Sequence, residues 1–361
     1  MLKSICKKVK GLIAWIRAYF IASPEDTFAV EKYCRQHIGK PDVISCASAL
    51  GISPIKVRQS FRRLNSLQNC EDAVAQSVSN VRPQGTVYFK TTFYAPLELP
   101  FIKMNLLEGL PYVDKFIIVE GNRTHVGGPR EFIFENYVSL IPDYLRKKIL
   151  YIKSDLANET VDCTKTRDGY QMHKNEAALW DSFEKHVSLQ DNDIVISADA
   201  DEIIYRRIYP LIFELLQKKY PLLLPLHQFF YRMNYLWKNE TFWAPVASYA
   251  GYYNRRPHPH RWRYEGKHLP VMAGCHFSWQ LTIEQMLFKL KTYAHNDIYG
   301  HLADREILQN AVDSKTYPFD PDRSFFIEEL NPNKDRIYYP ESFFTFRSDF
   351  AHLLPVDSSE A

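Results

Sequence analysis

The sequence predicts an α/β fold, with a parallel sheet and helices between its strands, preceded by a small helical region. Strand-like and helix-like segments alternate from Thr86 onward, the order in which parallel strands are joined by crossover helices. The strand-like segments are short and apolar, as at Phe116-Ile-Ile-Val119 and Ile194-Val-Ile196, the mark of buried strands. Charge is also uneven: residues 1 to 80 hold twelve Lys and Arg against six Asp and Glu, while the remainder is slightly acidic. The two parts are expected to do different jobs.

A chain of 361 residues, 46% hydrophobic and 14% aromatic, has the means to bury a sizeable core, which excludes a disordered protein. Its formal charge of +3 is too small to argue for nucleic acid or acidic partners. The six cysteines, Cys6, Cys34, Cys46, Cys70, Cys163 and Cys275, form no CxxC pair or zinc-like cluster and are read as mostly reduced thiols. Sequons at Asn122, Asn158 and Asn239 carry no weight without a secretory route.

Met1 to Ser23 starts basic, with Lys3, Lys7, Lys8 and Lys10, and continues apolar and aromatic but for Arg17. The stretch is too short to span a bilayer and matches a signal peptide poorly. A basic amphipathic helix lying on a membrane surface and a helix packed on the main domain are both open. Residues 24 to 70 read as a small helical domain. Within it Val43 to Leu64 has the outline of a helix-turn-helix: Ala47 lets the helices approach, Gly51 permits the turn and Val57 packs back. Arg58, Arg62 and Arg63 could face phosphates, but solvated arginines on a helical bundle are the preferred reading, so DNA is not expected as a partner. Residues 71 to 85, polar and containing Pro83, read as a linker. The main domain is expected over 86 to 361.

In that domain Thr86 to Phe93 is the first strand, Leu97 to Leu110 a helix, and Lys115 to Glu120 a strand running into a polar Gly-Asn-Arg-Thr loop. A helix from Phe132 to Leu140, a strand from Lys148 to Lys153, a long helix around Tyr170 to His186 and a strand from Asp193 to Ser197 follow. Ligands of such sheets bind at the carboxyl ends of the strands. There the chain carries Asp199-Ala-Asp201-Glu202. Clustered carboxylates at a strand end suit a hard divalent ion, Mg²⁺ or Mn²⁺, that also holds a diphosphate; the plain alternative is an acidic loop. A second cluster, Ala273-Gly-Cys-His276-Phe-Ser-Trp279, precedes Phe288 to Asp297. His276 could complete the metal shell and Trp279 could stack on a sugar or a base, although a lone histidine is more often a satisfied core residue.

Taken together, four ordered stretches resemble the family 17 glycosyltransferases. They are Tyr112 to Thr124 with Gly128-Pro129, Arg167-Asp-Gly-Tyr170, Asp193 to Ile203, and Gly274-x-His276-x-Ser278-Trp279 with the Lys-x-x-x-His run ending at His295. The resemblance spans roughly residues 86 to 345 and leaves out the amino-terminal 80. It implies a GT-A-type, Rossmann-like nucleotide-sugar transferase domain, inverting chemistry, a UDP-N-acetylglucosamine donor and β-1,4-N-acetylglucosaminyl transfer to a glycan or polysaccharide. Asp199 and Asp201 match the family's acidic motif, and Gly274, His276, Ser278 and Trp279 its Gly-Trp-His-Cys-Ser-Trp motif. Cys275 stands where the family usually has Trp and Phe277 where it has Cys. Ala95-Pro-Leu-Glu98 replaces an Asn-Glu-x-Asp run, so only Glu98 keeps the acidic character. The lack of a membrane anchor suggests a cytoplasmic protein, for which peripheral membrane contact through residues 1 to 23 is left open.

In the expected reaction a carboxylate, Glu202 or Asp297, deprotonates the acceptor hydroxyl. Asp199, Asp201 and His276 hold the metal; Glu120 and Asn122 are candidates for the nucleoside, and Arg167 and Lys289 for the phosphates. Two rival readings are a metal-dependent phosphoesterase using the same acidic run, and a DNA-binding regulator whose larger domain senses a sugar nucleotide.

Overall fold

The structure is a computed structural model that describes residues 21–37, 42–76, 83–157, 160–166, 168–253 and 266–354. The amphipathic segment expected at the amino terminus lies almost wholly outside the described residues. No helix among them is long and apolar enough to cross a membrane, and Cys34, Cys46, Cys163 and Cys275 are free thiols.

Three helices come first: α1 (Pro24–Gln36), α2 (Val43–Leu50) and α3 (Pro54–Gln76). Ser23 and Asp26 form a capping box at the start of α1, and the Asp42 side chain accepts the Ile44 and Ser45 amides at the start of α2. Each satisfies amides that a helix start leaves without partners. Helix α2 ends at Gly51, whose φ of +65° is the left-handed turn that glycine tolerates. Val30, Cys46, Ala47 and Val57 make a small core between the helices. Helix α3 runs to Gln76, into the stretch expected to be linker, because Glu71 to Gln76 contains neither Gly nor Pro to stop it. These helices sit against the larger fold. The Phe28 ring lies 4.3 Å from His227 and 4.8 Å from Tyr338, Arg207 pairs with Glu31, and Arg63 donates to the Pro270 carbonyl at 3.2 Å.

The first four strands, β1 (Val87–Thr92), β2 (Lys115–Gly121), β3 (Ile149–Ser154) and β4 (Ile194–Ser197), form a parallel sheet in the order β3-β2-β1-β4. Val246–Tyr249 continues it antiparallel to β4, and Leu222–Leu223 and Lys267–His268 finish the edge. Alternation along the strands serves two cores. Phe116, Ile118, Ile194 and Ile196 pack with helix α4 (Leu99–Gly109), whereas Ile117, Val119 and Val195 pack with helix α5 (Gly169–Asp181). Cover on both faces is why these strands read as continuous apolar runs. Lys90 of β1 is fully buried, and its ammonium donates to the Trp180 carbonyl at 3.0 Å and to Tyr253, fastening the end of α5 to the sheet.

A second sheet contains β5 (Glu202–Ile204), β6 (Leu226–Phe230), β7 (Tyr235–Phe242) and β8 (Gly274–Ser278), in the order β7-β6-β8-β5, with Ile327–Glu329 outside β7. Helices α6 (Ile283–Thr292) and α7 (Arg305–Asp313) follow. In the first sheet the chain runs outward from β1 to β3 and then returns to lay β4 on the other side of β1. Direction reverses there, leaving a crevice at the carboxyl ends of β1 and β4.

Candidate functional site

The chain leaves β4 and folds at once into the turn Asp199-Ala-Asp201-Glu202. The Glu202 amide donates to the Asp199 carbonyl at 3.1 Å, and the Glu202 carboxylate accepts the Asp199 amide at 2.7 Å, so the turn is closed at both ends. Asn105 on α4 holds the Ala200 carbonyl at 2.9 Å. Glu202 is fully buried and clasps the turn, whereas the Asp201 side chain keeps 25% of its surface exposed.

Strand β8 pairs with β5 so that His276 stands opposite Glu202, and the Phe277 amide donates to the Asp201 carbonyl at 2.9 Å. This register brings His276 Nε2 to 3.7 Å from Asp201 Oδ1. On its other side, His276 Nδ1 lies 2.8 Å from Gln228 Oε1 on β6. An amide oxygen only accepts, so Nδ1 carries a proton, and Nε2 is the nitrogen turned toward the carboxylate. A carboxylate oxygen and an imidazole nitrogen so placed suit one divalent ion. Among the described residues no group of three or more His, Cys, Asp and Glu has a metal-holding arrangement. Asp201 and His276 therefore offer two ligands, and an ion held between them would need the rest of its shell from outside these side chains.

Asp199, Asp201 and His276 line a pocket of about 510 Å³ together with Thr92 and Tyr94 from the end of β1, Glu176 and Trp180 from α5, and Phe288 and Lys289 from α6. Strand β8 is followed by Trp279, whose φ of +56° is uncommon for a bulky residue and marks strain held by its surroundings. Its ring packs on Phe319 at 4.7 Å, and the Lys289 ammonium stands 4.9 Å above it, which fixes a cation in the pocket wall. Cys275, one residue before His276, faces the opposite way and donates to the Tyr338 carbonyl at 2.8 Å. Its departure from the family pattern thus falls in the core, and burial pushes its thiol up.

Glu98, Glu176 and Glu284 also line the pocket, and the environments of the first two drive them apart. Burial pushes the Glu98 carboxyl up; the Tyr94 and Ala95 amides and Lys289 oppose that, Asp201 adds to it, and the balance is about 7. Burial also pushes Glu176 up, but its hydrogen bond with His173 and the fields of His125 and His295 prevail, holding it at about 2.

Of the residues singled out from the sequence, Asp199, Asp201, His276, Trp279 and Lys289 meet around this pocket. Glu120 does not line it: its buried carboxylate accepts from Arg130 at 3.0 Å, the Ile133 and Phe134 amides at 2.9 and 3.0 Å, and Tyr151 at 2.5 Å. Asn122 is likewise engaged in its own loop, donating to Asp155 at 2.7 Å and accepting the Leu156 amide at 2.8 Å. Asp297 lies against α5, so close to Gly169 that a Cβ there would be 2.0 Å from its carboxylate. Arg167 lies outside the described residues. Sequence reasoning missed the pocket roles of Glu98, His125 and Glu176; Glu98 alone carried a signal, as the acidic residue just after the first strand.

The sequence model of glycosyltransferase family 17 matches residues 76–322, starting before the expected 86 and ending before 345. Among solved structures the chain is similar to the galactosyltransferase LgtC, determined in complex with donor and acceptor sugar analogs, with 11% identity and a TM-score of 0.30 over 76% of this chain and 98% of that one. No curated protein matches the chain.

Proposed function

We propose that this chain, which belongs to glycosyltransferase family 17 and is a glycosyltransferase, binds UDP-N-acetylglucosamine in the 510 Å³ pocket and passes the sugar, with inversion, to a hydroxyl of a glycan. The domain is read as GT-A type. The observation that carries this reading is the meeting of Asp201 and His276, 3.7 Å apart, at the reversal point of a parallel sheet, where phosphate-bearing ligands of such folds sit.

Asp201 and His276, with Asp199 beside them, would hold Mn²⁺ or Mg²⁺, which when bound supplies positive charge for the departing diphosphate. Lys289 adds a fixed cation in the same wall, and such charge, paid for during folding, costs no reorganisation during reaction. Gln228 keeps the imidazole oriented and its Nε2 turned toward Asp201. Trp180, Trp279 and Phe288 give the pocket apolar walls that suit sugar or base faces and exclude water.

Thermal unfolding with a panel of nucleotide sugars, each with and without Mn²⁺, tests the donor. UDP-N-acetylglucosamine at about 100 times its Kd stabilises the chain by about 2.7 kcal/mol, a rise in Tm of several degrees, only with Mn²⁺ and not in Asp199→Ala. A larger rise with a different nucleotide sugar reassigns the donor. No rise with any of them removes the nucleotide-sugar reading.

A further inference from the structure

The proposed transfer requires a base, and neither carboxylate expected from the sequence is in position to act as one. Glu202 is buried with its carboxylate on the Asp199 amide, and Asp297 lies against Gly169. Within the pocket, Asp201 is turned to His276, Glu176 is engaged with His173, and Glu284 is an exposed residue at 2.7 Å from Arg305. Glu98 is placed differently. It sits in the turn that follows β1, where backbone amides fix one of its oxygens: Oε2 accepts the Tyr94 amide at 2.6 Å and the Ala95 amide at 3.4 Å. The carboxylate is thus held by backbone, partly buried, in the pocket that Asp201, His276 and Lys289 also line.

From this placement we infer that Glu98 is the catalytic base, an assignment that rests on the inverting transfer proposed above. The acceptor oxygen uses a lone pair to form the bond to the anomeric carbon. The bond from that carbon to the diphosphate oxygen breaks, and its electron pair leaves with the nucleoside diphosphate. The acceptor proton passes to the Glu98 carboxylate and is later lost to water, so no oxidant or further reactant is needed. The groups that face it are Asp201 from the β4–β5 turn, Lys289 from α6, and the amides of its own turn; burial and Asp201 raise its proton affinity, while the amides and Lys289 lower it.

Glu98→Gln tests this, because the amide oxygen keeps an acceptor for the Tyr94 and Ala95 amides and so preserves the turn. Transfer from UDP-N-acetylglucosamine with Mn²⁺ to a panel of mannose- and N-acetylglucosamine-terminated oligosaccharides is followed by mass spectrometry. We expect kcat to fall by about 10²- to 10⁴-fold, donor affinity to stay within about threefold, and the acid limb of the parent's pH–rate profile to disappear. Glu98→Asp, which keeps a carboxylate but draws it back, is expected to lose less and to retain the acid limb; it also decides the matter if the Gln variant does not fold. A kcat within about threefold of the parent in Glu98→Gln, or a loss explained by donor affinity, overturns the assignment alone. A parent that transfers nothing to the panel overturns the transfer reading itself and the assignment with it.

Discussion

Asp201→Ala lowers sugar transfer by about three orders of magnitude or more while the chain stays folded. The two halves of this expectation have separate causes. Asp201 faces His276 Nε2 at 3.7 Å, and its loss removes the carboxylate that would hold the cation against the leaving diphosphate. The turn is closed through the backbone of Asp199 and Ala200 by the Glu202 carboxylate, the Glu202 amide and Asn105. A partly exposed side chain in such a position costs at most about 1 kcal/mol on removal. Initial rates paired with urea denaturation check both parts. Unchanged rates, or unfolding of the variant, would each contradict the assignment.

Gly274→Ala is expected to damage stability and site together. A Cβ at Gly274 would lie 1.8 Å from the Ile203 carbonyl oxygen and 3.0 Å from the Ile204 Cα, backbone atoms that cannot rotate away. Strand β8 is paired with β5 on one side and β6 on the other, so it has no free edge toward which to shift. The sheet must open where it sets Asp201 against His276. We expect a loss of about 3 kcal/mol or more, a drop in Tm on the order of 10 °C, and no stabilisation by the donor in what remains folded. Thermal unfolding by circular dichroism, with and without UDP-N-acetylglucosamine and Mn²⁺, measures both; a Tm within a degree of the parent would show that the sheet tolerates the methyl group.

The contrast between Asp201 and its neighbours shows which parts of the site were legible in the sequence. Strands β2 and β4 declare themselves because burial on both faces makes them largely apolar, and the acidic turn follows β4 directly, so chain order alone places Asp199 and Asp201 at the sheet's edge. Gly274 to Trp279 is legible for the same local reason. Glu202 misleads because the turn folds back and β5 pairs with β8, which buries the carboxylate that sequence proximity offers to the substrate. Glu120 and Asn122 do end a parallel strand, but Arg130, Tyr151 and Asp155 engage them in the loop's own structure. The properties of Glu98 were out of reach in another way. They depend on Asp201 and Lys289, which join it only when the two sheets and α6 are assembled. The second sheet was not read at all: β5 has only three residues, and β6 pairs in parallel with β8 across a long intervening stretch, a pairing that no local pattern reveals.

Calorimetric titration of UDP, with and without Mn²⁺, onto the parent and Asp201→Ala tests most directly whether this pocket is a metal-assisted nucleotide-sugar site. The parent should bind a single UDP per chain with an affinity at least about tenfold higher when Mn²⁺ is present, and Asp201→Ala should lose that gain. Equal UDP binding by both proteins, or none by the parent with Mn²⁺, would contradict it.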